Sequence, residues 1–177
     1  MAIFKAGEEN DLDYVAVRDG GVLLYRKLNY IEEDIQWLRE RNYRIYEFDC
    51  AAWTSEMALH ENLRSALSFP DYYGNNLNAL DECMSDDLVV PDPGGLVLVL
   101  NHYDRIFKPA SGLASEGRGT AEVVLSIFAD AVRYHMLFGR RLLILVQSDD
   151  PKIDFGRLRG VAARWNRREW LNSSRGL

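Results

Sequence analysis

No Lys or Arg occurs between Arg64 and Arg105. That gap holds Asp71, Asp81, Glu82, Asp86, Asp87, Asp92 and Asp104, seven acids against no base. The whole chain carries −6, so the remainder sums to +1. A field of that sign repels nucleic acid and attracts cationic surfaces. A solvated acidic face kept for solubility is the plainer alternative. Cysteine is nearly absent. Cys50 and Cys83 alone make neither a disulfide framework nor a structural zinc site, and read as two small buried side chains. Long apolar runs are missing too. Leu96 to Leu100 and Leu142 to Val146 have strand length, far short of the roughly 20 residues that span a bilayer. Met1 to Lys5 lacks the basic-then-apolar pattern of a signal peptide, so a soluble, cytoplasmic protein is expected.

Enzyme signatures are also lacking. His60, His102 and His135 are scattered, and none stands in a His-Glu-x-x-His pattern. There is no phosphate loop, no dinucleotide glycine pattern and no Gly-x-Ser-x-Gly. Asp81 with Glu82, and Asp86 with Asp87, invite a metal-dependent hydrolase, because magnesium and calcium take oxygen ligands. Adjacent carboxylates on a helix project about 100° apart, however, and do not converge unaided. The expectation is a binding protein without catalytic residues, metal or cofactor. A regulatory binder and, behind it, an acid-pair hydrolase are the alternatives.

What is present is a globular pattern, 47% hydrophobic and 27% charged, in 177 residues. That suffices for one domain with a real core, or a small domain with terminal additions. Tyr14 to Val17 and Val22 to Tyr25 flank Asp19-Gly20-Gly21, which predicts a hairpin. Asn29, with Glu32 three residues on, predicts a capped helix to about Arg41, stopped by Asn42. Ile45 to Cys50 alternates as a strand does. Thr54 or Ser55 caps the next helix, whose stripe is Leu59, Leu63, Ala66 and Leu67. Asn75 or Asn76 caps a third, facing inward with Leu77, Leu80 and Met84. Leu96 to Leu100 reads as a strand covered on both faces. Lys108 to Gly119 reads as a mobile loop, and Thr120 as the cap of a long helix to about His135. Arg141 to Gln147 is the last core strand. From residue 45 the order is strand, two helices, strand, helix, strand. Such long crossovers predict an α/β fold with a small parallel sheet. From Pro151 onward seven bases face two acids. This basic, aromatic tail, with Trp165 and Trp170, is expected to cover the core as a partly helical extension.

One stretch resembles a known family. Phe69-Pro70-Asp71-Tyr72-Tyr73-Gly74-Asn75-Asn76-Leu77-Asn78-Ala79-Leu80-Asp81-Glu82-Cys83 is similar to the barstar signature. That signature reads apolar, Pro, acid, Tyr-Tyr-Gly, any residue, Asn-Leu-Asp-Ala-Leu-Trp-Asp-Cys. The similarity continues in order through His60, Val97 to Leu100, Ala121 to Ala131 and Leu142 to Val146, covering about residues 44–147. It implies a small parallel three-stranded sheet packed with helices. Residues 1–43 would add an amino-terminal hairpin and helix, and residues 148–177 the tail. It also implies an immunity protein that inhibits a ribonuclease-type toxin, 1:1 and as a monomer, with no direct contact to nucleic acid or membrane.

In that family the second helix and its preceding loop plug the nuclease cleft, with carboxylates standing in for RNA phosphates. Carried over by position, the resemblance makes Glu82 the principal cleft-entering carboxylate and Tyr72 a contacting tyrosine. Asn76 becomes the loop asparagine, and Asp130 an acidic contact from the later helix. Asn78, Asp81 and Asp86 complete the expected contact set. Three positions depart from the pattern: Glu82 is longer than the usual Asp, Asp81 replaces Trp, and Asn78 replaces an acid. They imply a cationic target other than the family's founding one. Each position also has a local use. One of Tyr72 and Tyr73 packs the loop on the core, Asn75 and Asn76 serve as caps, and Gly74 supplies a positive φ.

Overall fold

The two uninterrupted apolar runs become the central strands of a parallel sheet. The computed structural model describes residues 4–107 and 117–177. In chain order the elements are α1 (Leu12–Arg18), β1 (Val22–Tyr25), α2 (Leu28–Glu40), β2 (Tyr43–Asp49), α3 (Glu56–Leu67) and α4 (Leu77–Asp86). Then follow β3 (Gly95–Asn101), α5 (Gly117–Leu137), β4 (Leu142–Gln147), β5 (Arg157–Leu158), β6 (Val161–Ala162) and β7 (Arg164–Trp165). Among the described residues the main sheet runs β2-β3-β4-β1-β7, every pair parallel, and β5 and β6 form a small antiparallel hairpin.

Side chains alternate across the sheet with the two-residue period of a strand. Leu96, Leu98 and Leu100 join Leu142, Ile144 and Val146 beneath α3, α4 and α5. Val97 and Val99 join Leu143 and Leu145 on the opposite face, beneath α1 and α2. Helices on both faces explain why β3 and β4 read as continuous apolar runs rather than alternating ones. Cys50 and Cys83 are free and buried in the larger cluster.

The α/β class with a parallel sheet matches the sequence-based expectation, but the sheet has five strands rather than three. One extra strand comes from the expected hairpin. Tyr14 to Val17 lies in helix α1, and Val22 to Tyr25 pairs in parallel with β4, so there is no hairpin there. Gly20 and Gly21, at φ of 105° and 78°, end the helix instead of turning a ribbon. A Cβ on Gly21 would stand 2.3 Å from Val132 of α5, so that close approach also requires glycine. What holds α1 is a polar contact from far along the chain. The buried Asp13 accepts hydrogen bonds from Tyr43 Oη (2.6 Å) and from Arg141 (3.1 Å).

The other extra strand comes from the tail, whose described helical part is a single 3-10 turn rather than an α-helix. It supplies β5, β6, β7 and one 3-10 turn, Asn172–Arg175. Phe155 and Leu158 are buried in the larger core cluster. Two caps also differ from expectation. Helix α2 starts at Leu28, before Asn29, and no side chain of its N-cap residue bonds it. Its amino-terminal region is bonded instead by Glu169, whose carboxylate accepts from the backbone N–H of Arg26 (3.0 Å) and Lys27 (3.1 Å). Helix α5 starts at Gly117, so Thr120 lies inside it. Of the expected loop at Lys108 to Gly119, residues 108–116 lie outside the described residues, as do residues 1–3.

Candidate partner interface

The loop before α4 is built by sorting two adjacent tyrosines to opposite sides. Helix α3 is capped by Ser55, whose Oγ accepts from Ala58 N–H, and ends at Ser68 in the left-handed region (φ 57°). The chain then turns so that Phe69 and Tyr73 enter the core with ring centroids 5.0 Å apart. The Tyr73 hydroxyl meets Nδ1 of the buried His60. Tyr72 is left 70% exposed. Its hydroxyl donates to Asp87 Oδ1 at 2.6 Å, and this bond to a carboxylate pushes its pKa up to about 12. Tyr73 is therefore the packing residue and Tyr72 the one at the surface. The positive φ falls on Asn75 (49°) rather than Gly74. A Cβ on Gly74 would sit 2.9 Å from Asn76 Nδ2, so a larger residue there would press on the amide that caps α4.

Asn76, not Asn75, caps α4. Its Oδ1 accepts from Ala79 N–H (2.9 Å), and its Nδ2 donates to the Gly74 carbonyl (3.1 Å). Both ends of that amide serve the loop, which is worth about 1 kcal/mol as a cap. Beyond it, Leu80, Cys83 and Met84 are buried. Asn78, Glu82 and Asp86 recur every four residues and are all exposed, so they form one stripe on α4. Asp86 accepts from Tyr134 Oη of α5 at 2.8 Å. Glu82 has no hydrogen-bond or ion-pair partner among the described residues.

Asp81 and Asp130, expected in the same contact set as Glu82, are engaged within the chain. Both pair with Arg159 of the tail, Asp81 at 3.5 Å, and Asp130 also pairs with Arg133. The structure thus brings Tyr72, Asn78, Glu82 and Asp86 together at an open surface. It places Asp81 and Asp130 against cations of the chain itself. Sequence reasoning misses Arg159 and Tyr134. Gly160 alone suggests a turn, and the long-range partners of Arg159 have no local signal. Among the described residues no group of three or more His, Cys, Asp or Glu could hold a metal ion. Asp81 and Glu82 face different surroundings, so the acid-pair hydrolase gains no geometry. No described helix is long and apolar enough to cross a membrane.

Two buried histidines support this face. Burial lowers the pKa of His60, against the opposing pull of Glu56, and burial likewise lowers that of His135. His135 Nε2 meets the Met84 carbonyl of α4 at 2.9 Å. Both imidazoles fold neutral, whereas in the unfolded chain they take a proton near 6.5. Their stabilising effect is therefore complete above that value and is lost as pH falls toward each lowered folded pKa. Urea midpoints are expected to drop between about pH 7.5 and about pH 5.5. Midpoints that stay level across that window, or rise, would contradict the assignment.

Comparison with known proteins points the same way. The pattern of the family described as Barstar (barnase inhibitor) matches residues 43–147, which contain β2 to β4 and the whole α4 surface. A Bacillus subtilis (strain 168) protein named "Putative ribonuclease inhibitor YrdF" is 44% identical over 46 residues, 26% of this chain. The chain spans about half the length of that curated relative, 46% of it. With more than half its residues inside the family pattern, this chain belongs to the barstar family.

Proposed function

We propose that the chain is a non-catalytic inhibitor that occludes the cationic active site of a ribonuclease, with α4 and its preceding loop entering the cleft. Its setting would be toxin immunity in the cytoplasm, the inhibitor acting as a monomer. A ribonuclease gathers Arg, Lys and His around the scissile phosphate. A carboxylate accepts charge-assisted hydrogen bonds from the same donors. Opposite fields also speed encounter and reject wrong partners.

One observation carries this reading: the charges of α4 oppose the stability of α4. The helix has no acid in its first turn and no base in its last. Asp86 and Asp87 instead stand at its carboxyl end, where the helix dipole is negative. Glu82 lies four residues from Asp86, an unfavourable like-charge spacing. Local conflict of this kind is expected where a surface is shaped for a partner rather than for folding.

The test is titration of ribonuclease activity by the purified chain. Barnase, other basic ribonucleases and any nuclease encoded beside this chain would be assayed on a fluorogenic RNA. The expected result is stoichiometric 1:1 loss of activity for at least one enzyme. If excess inhibitor leaves every enzyme in such a panel active, the proposal fails. A partner that is not a nuclease would then favour the regulatory binder.

A further inference from the structure

We propose that Arg159 is a specificity-determining residue of this interface: it fills, from within the chain, the position that Asp81 and Asp130 would otherwise offer to a partner's cation. This rests on the ribonuclease reading above and narrows it. The fitting enzyme presents cationic groups to Glu82 and none to the Asp81–Asp130 pair.

Arg159 sits in a tight turn of the tail. It is the first residue of the two-residue turn joining β5 to β6, followed by Gly160. Both turn residues have positive φ, 45° and 102°. Such turns favour Asn-Gly or Gly-Gly, and an arginine in the left-handed region is disfavoured. Turn geometry therefore does not explain an arginine there, whereas its contacts do. The guanidinium joins carboxylates from two separate helices, Asp81 of α4 and Asp130 of α5.

The hairpin also aims it. Leu158, immediately before, is 1% exposed within the main core cluster, so the turn is held against the body of the protein. Arg159 lies outside residues 43–147, the part of the chain that matches the family. The arginine is thus brought to the family's surface by this chain's own extension.

The consequence is electrostatic. Arg133 pairs with Asp130 as well, so two cations face the two acids. Glu82, next to Asp81, keeps its charge uncompensated among the described residues. Half of the Arg159 side chain remains exposed. A nuclease offering an arginine opposite Asp81 and Asp130 meets a like charge there, whereas one offering a cationic pocket to Glu82 does not. Like-charge juxtaposition is an effective way to exclude partners.

The test compares Arg159→Gly with Arg157→Gln. Both remove one positive charge from the hairpin, but no ion pair to either acid is formed by Arg157, which is exposed. Glycine suits the positive φ, so Arg159→Gly retains the turn. Two probes are titrated at low ionic strength, a hexa-arginine peptide and barnase. The expected result is tighter peptide binding by Arg159→Gly, on the order of fivefold, with less than about twofold for Arg157→Gln. Adding Asp130→Asn to Arg159→Gly should cancel the gain. Any binding of barnase should follow the same order. Equal peptide affinities for the two single variants would overturn the assignment and leave the ribonuclease reading untouched. Separated peptide affinities support the assignment. If they come with no binding of any ribonuclease, it is the ribonuclease reading that falls.

Discussion

Glu82→Lys is expected to raise the dissociation constant for the proposed ribonuclease partner by about two to three orders of magnitude. Removing one member of a desolvated ion pair costs about 3–5 kcal/mol, because the other charge is left buried without a partner. Each 1.4 kcal/mol is a factor of about ten in affinity. Reversal adds repulsion to that loss. The same change should leave the fold intact or slightly firmer. Glu82 is exposed and has no hydrogen-bond or ion-pair partner among the described residues. A lysine at that position would face Asp86 at helical i,i+4 spacing, an attraction of about 0.2–0.5 kcal/mol in place of a repulsion. Affinity and stability are therefore expected to move in opposite directions, which a misfolded variant could not imitate. Titration calorimetry with the partner, alongside urea unfolding of the free protein, reads both. Unchanged affinity would remove Glu82 from the contact surface. Asp81→Asn should do much less, because Asp81 already faces Arg159.

Glu169→Ala is expected to destabilise the protein by about 3–5 kcal/mol, because three hydrogen-bond donors lose a carboxylate acceptor in the interior. Glu169 is fully buried, although it lies in a tail rich in bases. Its carboxylate accepts from the backbone N–H groups of Arg26 and Lys27 and from Asn166 Nδ2 at 2.7 Å. Asn166 in turn donates to the Leu24 carbonyl at 3.0 Å, beside the pairing of β7 with β1. One carboxylate thus links the amino end of α2 to the edge of the sheet. Without it, three donors lose their acceptor, at about 1–3 kcal/mol for each one left buried and unpaired. At this chain length the melting temperature should fall by about 6–20 °C, checked by scanning calorimetry. A shift of under about 2 °C would mean that water replaces the carboxylate there. Ribonuclease binding should survive below the new midpoint, because Glu169 is remote from α4 in the sheet layout.

Elements whose boundaries are written locally are legible in the sequence. The Ser55 cap, the Asn76 cap and the left-handed Asn42 all lie where side-chain chemistry places them. The apolar runs of β3 and β4 signal strands covered on both faces. Helix α1 defeats a local reading because Tyr14 to Val17 is a short apolar run of strand length with two glycines beyond it. Its helical state is held by Asp13 against Tyr43 and Arg141, partners 30 and 128 residues away. Helix α2 defeats the expected cap at Asn29 for a similar reason, since Glu169 lies far beyond any local window. The candidate site divides along the same line. Asn78, Glu82 and Asp86 share a stripe by helical spacing alone. The pairing of Asp81 and Asp130 with Arg159 depends on where the tail folds back.

Sequence alone determined the parallel α/β core, the barstar-type segment and the acidic character of α4, because periodicity, caps and charge act over a few neighbouring residues. Tertiary structure alone decided that β1 and β7 widen the sheet, that Tyr73 rather than Tyr72 packs inward, and that Arg159 covers two of the acids while Glu82 stays open. Those outcomes are contacts between residues distant along the chain. A contact of that kind leaves no periodic trace in either segment before they meet.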